Sequence, residues 1–180
     1  PPSIVASGNP MVSEAAMEIL AEGGNAFDAA IAAGFVSSIA EPALTSLGGG
    51  GFMMTRTATG ETTLFDFFSN TPGKGLHSEG LTPHFFPVSV HFSDSVQDFN
   101  VGLGSVAVPG TLKGFLHIHD KLGTLPLRRI VAPAIKTADQ GVTLSDQQAH
   151  FLELLEPILT MTPAGRKLFA PNGHYLGRGD

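Results

Sequence analysis

Cysteine and tryptophan are absent from these 180 residues, and tyrosine occurs once. Without a thiol the chain has no disulfide, no cysteine nucleophile and no thiolate metal site, and its compartment stays open. Charge is sparse too: Asp, Glu, Lys and Arg supply 14% of the residues against 42% hydrophobic. That balance excludes a disordered segment and suggests that part of the surface is covered by more protein. Positive charge is thinnest, with 10 Lys plus Arg against 16 Asp plus Glu and a net charge of -6. The basic residues are scattered, so nucleic acid is not an expected partner. No uninterrupted apolar run of about 18 residues exists to span a membrane. The most apolar stretch, Ala26 to Ala40, is broken by Asp28, Ser37 and Ser38.

What is present is a chain long enough for one domain with a real core. Ile4 to Ser7 reads as a short strand. Asn9-Pro10 then starts a helix, with Asn9 as cap and Pro10 in the first turn. Val12, Ala15, Ala16, Ile19 and Leu20 follow the spacing of one buried helical face, and Gly23-Gly24 ends it. Asn25, with Asp28 three residues on, caps a second helix to Ala40, whose small residues predict burial on several sides. After Leu47-Gly48-Gly49-Gly50-Gly51-Phe52, strands are expected at 51–57 and 62–69, joined by a turn at 58–61. Residues 70–103 read as irregular and turn-rich, and 104–108 as a strand. Further helices are expected at 111–122, with Leu112, Phe115 and Leu116 inward, and at 126–140, kinked or split by Pro133. Ser145 caps another to Leu155; a short one spans 163–169, before a turn at Asn172-Gly173.

The chemistry in this pattern is incomplete. A phosphate loop needs its glycines to open onto a helix N-terminus, often with a following lysine. Here the glycine run enters a strand and no lysine follows, so close backbone approach or positive φ explains it better. His117 and His119 point to different faces of their helix, and His77, His84 and His91 have no carboxylate at ligand-like spacing. Neither a metal site nor a cofactor is expected. No Gly-x-Ser-x-Gly elbow is present. Asp66 sits in the apolar strand Leu64-Phe65-Asp66-Phe67-Phe68, where a buried carboxylate needs partners and is either structural or part of a pocket. Pro1 acts as a base only if it is a processed terminus inside a pocket. No catalytic residue is assigned within the chain.

Three segments nevertheless resemble the gamma-glutamyltransferase family. They are Ser7-Gly-Asn-Pro10 with Glu14 through Ala30, then Leu47 through Met53, then Gly104-Ser-Val-Ala-Val-Pro-Gly-Thr111 with Leu122-Gly-Thr-Leu-Pro126 and Ala132-Pro-Ala-Ile135. The resemblance is dense over 5–72 and 104–149, and thinner over 150–180. It implies an α+β fold, the αββα sandwich of N-terminal-nucleophile hydrolases, of which residues 1–180 form the N-terminal part of a large subunit, a single incomplete domain. It also implies a precursor that cuts itself, and a threonine nucleophile at the start of a small subunit, outside this chain. The expected partners are the remainder of the large subunit, that small subunit, and a small acyl-amide or gamma-glutamyl substrate. The alternative is a non-catalytic scaffold or regulatory relative.

One family residue falls within the chain. The family pattern Asp-Phe-Arg-Glu-x-Ala-Pro carries an arginine that grips the α-carboxylate of the glutamyl group. Here the segment reads Asp66-Phe67-Phe68-Ser69-Asn70-Thr71-Pro72, which puts Phe68 in the arginine position. Losing one partner of a buried charged pair costs about 2–5 kcal/mol, roughly thirtyfold to several-thousandfold in affinity. Phe68 and Asn70 are therefore the candidate substrate-binding residues, with specificity moved away from gamma-glutamyl compounds. The competing reading has Phe68 merely packing while Arg56, Lys74 or a later residue does the gripping.

Overall fold

The computed structural model describes residues 3–77, 79–80 and 82–180; Pro1, considered above as a base, lies outside them. The chain divides into two compact units, residues 1–70 with 108–142 and residues 71–107 with 143–180.

The first unit is a helical cluster carrying one β-hairpin. Its helices are α1 (Pro10–Ala21), α2 (Ala26–Ala40), α3 (Thr111–Leu122) and α4 (Leu127–Gln140), and its strands are β1 (Phe52–Arg56) and β2 (Thr62–Asp66). Helix α2 packs against α1, α3 and α4. This is why it is built from small residues: Asp28, Ala29, Ile31, Ala32, Phe35, Val36 and Ala40 are all buried. Val12, Ala15, Ala16 and Ile19 of α1, Phe115 and Ile118 of α3, and Ile130 and Ala134 of α4 complete the core.

The expected caps form. Asn9 Oδ1 accepts the Met11 N–H at 2.9 Å. Asn25 Oδ1 accepts from Phe27 and Asp28, while Asp28 Oδ2 accepts the Asn25 N–H at 3.0 Å. Asp28 does more than cap. It is fully buried and also accepts from the Thr124 and Leu125 N–H groups and, at 2.5 Å, from the Thr124 hydroxyl. Asn25 Nδ2 donates to the Leu122 carbonyl at 2.7 Å. The start of α2 is thereby tied to the α3–α4 connection, nearly a hundred residues away in sequence.

Burial alone would raise the Asp28 carboxyl, but the bonds from Thr124, Asn25 and Leu125 outweigh it and hold the group below the usual carboxylate range. A depressed carboxylate stabilises the fold fully above its unfolded value of about 3.9, and this contribution is lost as pH falls from there through the folded value. Hydrogen bonds to a charged group are worth about 1.5–3 kcal/mol each. Asp28→Ala, which leaves several donors unpaired, should therefore cost about 3 kcal/mol or more at pH 7, measured from the urea midpoint. The difference between wild type and Asp28→Asn should shrink below about pH 4; a difference independent of pH would contradict this account.

Several sequence expectations change. Ile4 to Ser7 forms no strand, and Ile4 is exposed. Helix α3 buries Thr111, Gly114, Phe115 and Ile118, whereas Leu112 and Leu116 face outward, so the inward stripe is set by the glycine seat at 114. Helix α4 runs unbroken through a buried Pro133 and stops at Gly141, whose φ is 75°. Asp66 is exposed and not buried, since residues 63, 65 and 67 take the inward phase of the strand.

The second unit holds β3 (Phe86–Phe92) and β4 (Ser95–Val101), an antiparallel pair with Phe92 opposite Ser95. This hairpin occupies 86–101 of the stretch expected to be irregular at 70–103. Its alternation of Phe86, Val88, Val90 and Phe92 is obscured in sequence by Pro83 before it and Pro87 within it, and Ser93 turns the chain with φ 42°. The strand expected at 104–108 is instead a 3-10 turn at Leu103–Ser105, with one bridge from Val108 to Asn70 in the first unit. The remaining helices are α5 (Asp146–Leu154), α6 (Glu156–Leu159) and α7 (Pro163–Phe169), α5 being capped by Ser145 as expected. The Tyr175 hydroxyl donates to the Leu152 carbonyl; burial and the Glu156 charge raise its pKa, so it stays a donor.

Candidate functional site

The segment 67–70 continues β2 and is held along both edges by backbone. On one side Gly51 and Phe67 exchange hydrogen bonds at 3.3 and 3.0 Å. On the other, Asn70 and Val108 do so at 3.2 and 2.7 Å. Glycine makes this approach possible. A Cβ at Gly50 would lie 2.4 Å from the Ser69 nitrogen, and one at Gly110 would lie 1.9 Å from the Phe67 carbonyl oxygen. None of Gly48 to Gly51 has positive φ, so close approach, of the two explanations offered above, accounts for the run. The Gly49 carbonyl also accepts the N–H groups of Gly110 and Thr111, supplying the cap that α3 lacks from any side chain.

Alternation then fixes what each residue faces. Met53, Thr55, Thr63, Phe65 and Phe67 turn toward the helices, and Phe67 meets Phe115 edge-on with ring centroids 5.7 Å apart. Phe52, Met54, Leu64, Asp66 and Phe68 turn outward. Phe68 is 55% exposed and lies nearly parallel to Phe52, centroids 5.4 Å apart and planes at 12°. Asp66 Oδ1 accepts the Phe68 N–H at 3.0 Å. Asn70 shares the segment and donates from Nδ2 to the Phe68 carbonyl at 3.3 Å.

Arg56, one of the cations proposed to replace the missing arginine, is not at this end of the hairpin. Arg56 shares the outward face with Phe52 but lies four residues further along, roughly 13 Å. Its Nη2 is 3.7 Å from where a Cβ at Gly60 would sit, so the guanidinium is directed at the turn.

Behind Phe52 is a cavity of about 500 Å³, whose wall includes Ser37, Ser38, Thr45, Gly49, Phe67 and Phe115. Ser37 Oγ donates to Glu41 at 3.0 Å and lies 3.0 Å from the Thr45 hydroxyl. No Asp, Glu, His, Lys or Arg lines this cavity among the described residues; the carboxylate bonded to Ser37, that of Glu41, is outside the wall and also follows the end of α2 as its cap residue. His119 Nε2 is engaged with the Leu125 carbonyl at 2.8 Å and His117 meets Phe65 edge-on, so the two diverge as helical spacing predicts. No group of three His, Cys, Asp or Glu is arranged to hold a metal ion among the described residues. Likewise no described helix is long and apolar enough to cross a membrane. Phe52 is the residue that sequence reasoning passed over. Counting hairpin register would have found it, because Phe52 stands opposite Asp66, two positions from Phe68 on the same face.

Comparison with known proteins follows the same ground. Residues 12–180 match the family model described as Gamma-glutamyltranspeptidase. The chain is 35% identical over 182 residues to the glutathione hydrolase proenzyme of Bacillus subtilis (strain 168), covering 98% of this chain and 29% of that relative. It is 32% identical over 178 residues to the acylase ACY 1 proenzyme of Pseudomonas sp. (strain V22), covering 98% and 31%. Among solved structures it resembles Helicobacter pylori gamma-glutamyltranspeptidase with a TM-score of 0.80 and 31% identity, over 99% of this chain and 49% of that one. The chain therefore spans less than a third of the length of these curated relatives.

Proposed function

This chain belongs to the gamma-glutamyltranspeptidase family and carries part of its α+β fold, and on that premise we propose that it is the N-terminal part of the large subunit of a self-processing amidohydrolase or acyltransferase. In this reading the rest of the large subunit and a small subunit complete one αββα domain around residues 1–180. The small subunit begins with the threonine nucleophile. Its hydroxyl oxygen adds to the substrate amide carbon while its own α-amino group takes the hydroxyl proton. That proton passes to the leaving nitrogen as the C–N bond breaks, leaving an ester on the threonine. Water or an amine then displaces the threonine oxygen, which recovers a proton. No residue of this chain supplies the acid or base; its part is to form the scaffold and a wall of the acyl pocket.

Family membership over residues 12–180 carries the amide-cleaving part of this reading. Two relatives are named as proenzymes, one a glutathione hydrolase and one an acylase, and those names differ in the acyl group they imply. Phe68 bears on that difference. An apolar, half-exposed ring beside the Asp66 carboxylate, with Arg56 directed elsewhere, favours an acyl group that need not be gamma-glutamyl. Asn70 adds a polar contact at the edge.

Two measurements test this on the complete protein. Expression should yield two bands on a denaturing gel, the smaller with threonine at its N-terminus. An uncut precursor without that threonine would favour the non-catalytic scaffold. Turnover should then be compared between gamma-glutamyl anilide and butyryl anilide, which lacks both the α-amino and α-carboxylate groups. A clear preference for the gamma-glutamyl compound would overturn the inference from Phe68. Residues 1–180 expressed alone should be inactive and poorly soluble, because the hairpin exposes Phe52, Met54, Leu64 and Phe68 on one face.

A further inference from the structure

We propose that Phe52 and Phe68 act together as an aromatic platform that selects a planar, uncharged acyl group of the arylacetyl type, with Phe52 a specificity-determining residue in its own right. This rests on the reading that Phe68 stands beside the acyl group. Three observations carry it further.

The rings are parallel to within 12° at 5.4 Å, an offset-stacked pair, and both are more than half exposed, Phe52 at 58% and Phe68 at 55%. Among the described residues the outer side of the pair is open, and a third flat ring extends the stack where the rest of the protein leaves that side open. The pair also joins two features, since Phe52 forms part of the cavity wall together with Met53, Phe67 and Phe115. The cavity is of mixed character, its wall including Ser37, Ser38 and Thr45 beside these apolar residues. Finally, the local charge is wrong for a carboxylate. Asp66 lies on the same outward face, bonded to the Phe68 N–H, and the hairpin's arginine is directed at its far turn.

The test uses four anilides on the complete, processed protein: phenylacetyl, butyryl, glutaryl and gamma-glutamyl. Aromatic pairing predicts kcat/KM for phenylacetyl about three- to tenfold above butyryl. Glutaryl differs from butyryl by a terminal carboxylate and should be no better. Phe52→Leu and Phe68→Leu should each reduce the phenylacetyl-to-butyryl ratio about three- to tenfold, and Phe52→Tyr should retain it. Using ratios cancels losses of folded enzyme. If phenylacetyl is no better than butyryl, or Phe52→Leu leaves the ratio unchanged while Phe68→Leu lowers it, the platform is wrong and Phe68 keeps its place. If neither variant moves any ratio but both lower the melting temperature, the face is covered by protein, and the Phe68 reading fails with the platform. Absence of all turnover defeats the amidase reading instead. Calorimetry with phenylacetate against butyrate then still reads the platform, and equal binding would overturn it.

Discussion

Replacing Phe68 with arginine should raise the gamma-glutamyl-to-butyryl ratio of kcat/KM by roughly thirtyfold or more in the complete protein. The reason is electrostatic and geometric together. A guanidinium about 4 Å from a carboxylate at a partly screened site gains about 4 kcal/mol in Coulomb energy at an effective dielectric near 20, part of which is spent on desolvation. Its planar fork can also form two parallel charge-assisted bonds, so Phe68→Lys should recover less. The site tolerates the change because Phe68 is outward-facing and its backbone is fixed by neighbours on both edges, not by its own ring. Asp66 is the one nearby competitor, since an introduced guanidinium can fold back onto it. Phe68→Arg combined with Asp66→Asn removes that route. A folded, processed double variant with no gain on gamma-glutamyl anilide would show that position 68 does not face the substrate's carboxylate.

Gly110→Ala should destabilise the fold by about 3 kcal/mol or more, at or beyond the upper end for overpacking. Gly110 has φ -117°, a conformation alanine adopts freely, so backbone strain is not the cause. The cause is space. Its Cβ would lie 1.9 Å from the Phe67 carbonyl oxygen, a backbone atom in the segment pinned to Gly51. Relief requires moving the segment that carries Phe68, so activity and folding should fall together. Gly114 provides the contrast: a Cβ there meets the Phe67 ring, 2.3 Å from Cγ, which is side chain. Gly114→Ala should therefore be partly rescued by Phe67→Leu, whereas no single side-chain change should rescue Gly110→Ala. Melting temperatures of the four proteins decide this. Equal rescue of both would mean that the backbone in this region yields more easily than its packing implies.

Much of this fold was legible because its determinants are local. Asn9 with Pro10, Asn25 with Asp28, and Ser145 announce helix starts within a single turn, and the structure places all three there. The turn at 58–61 likewise predicts the first hairpin, whose strands run 52–56 and 62–66. The second hairpin was hidden. Its period-two alternation is present, but prolines at 83 and 87 made the stretch read as loop; in a two-stranded ribbon an edge position accommodates Pro87. The family resemblance was equally visible, because it resides in contiguous segments. The candidate site was half visible: residue 68 stood out against the family pattern, and its stacked neighbour did not.

The sequence by itself determined the capped helix starts, the glycine run, the family and the phenylalanine where that family has arginine. Only the tertiary structure decided which way that phenylalanine faces. Leu64-Phe65-Asp66-Phe67-Phe68 is apolar on both phases of the strand, so alternation alone could not assign an inside. The choice was made elsewhere, by Gly114 leaving room for the Phe67 ring and by Phe115 meeting it in a T-shaped contact. Once Phe67 is seated inward, a period of two sends Phe68 outward to stack on Phe52.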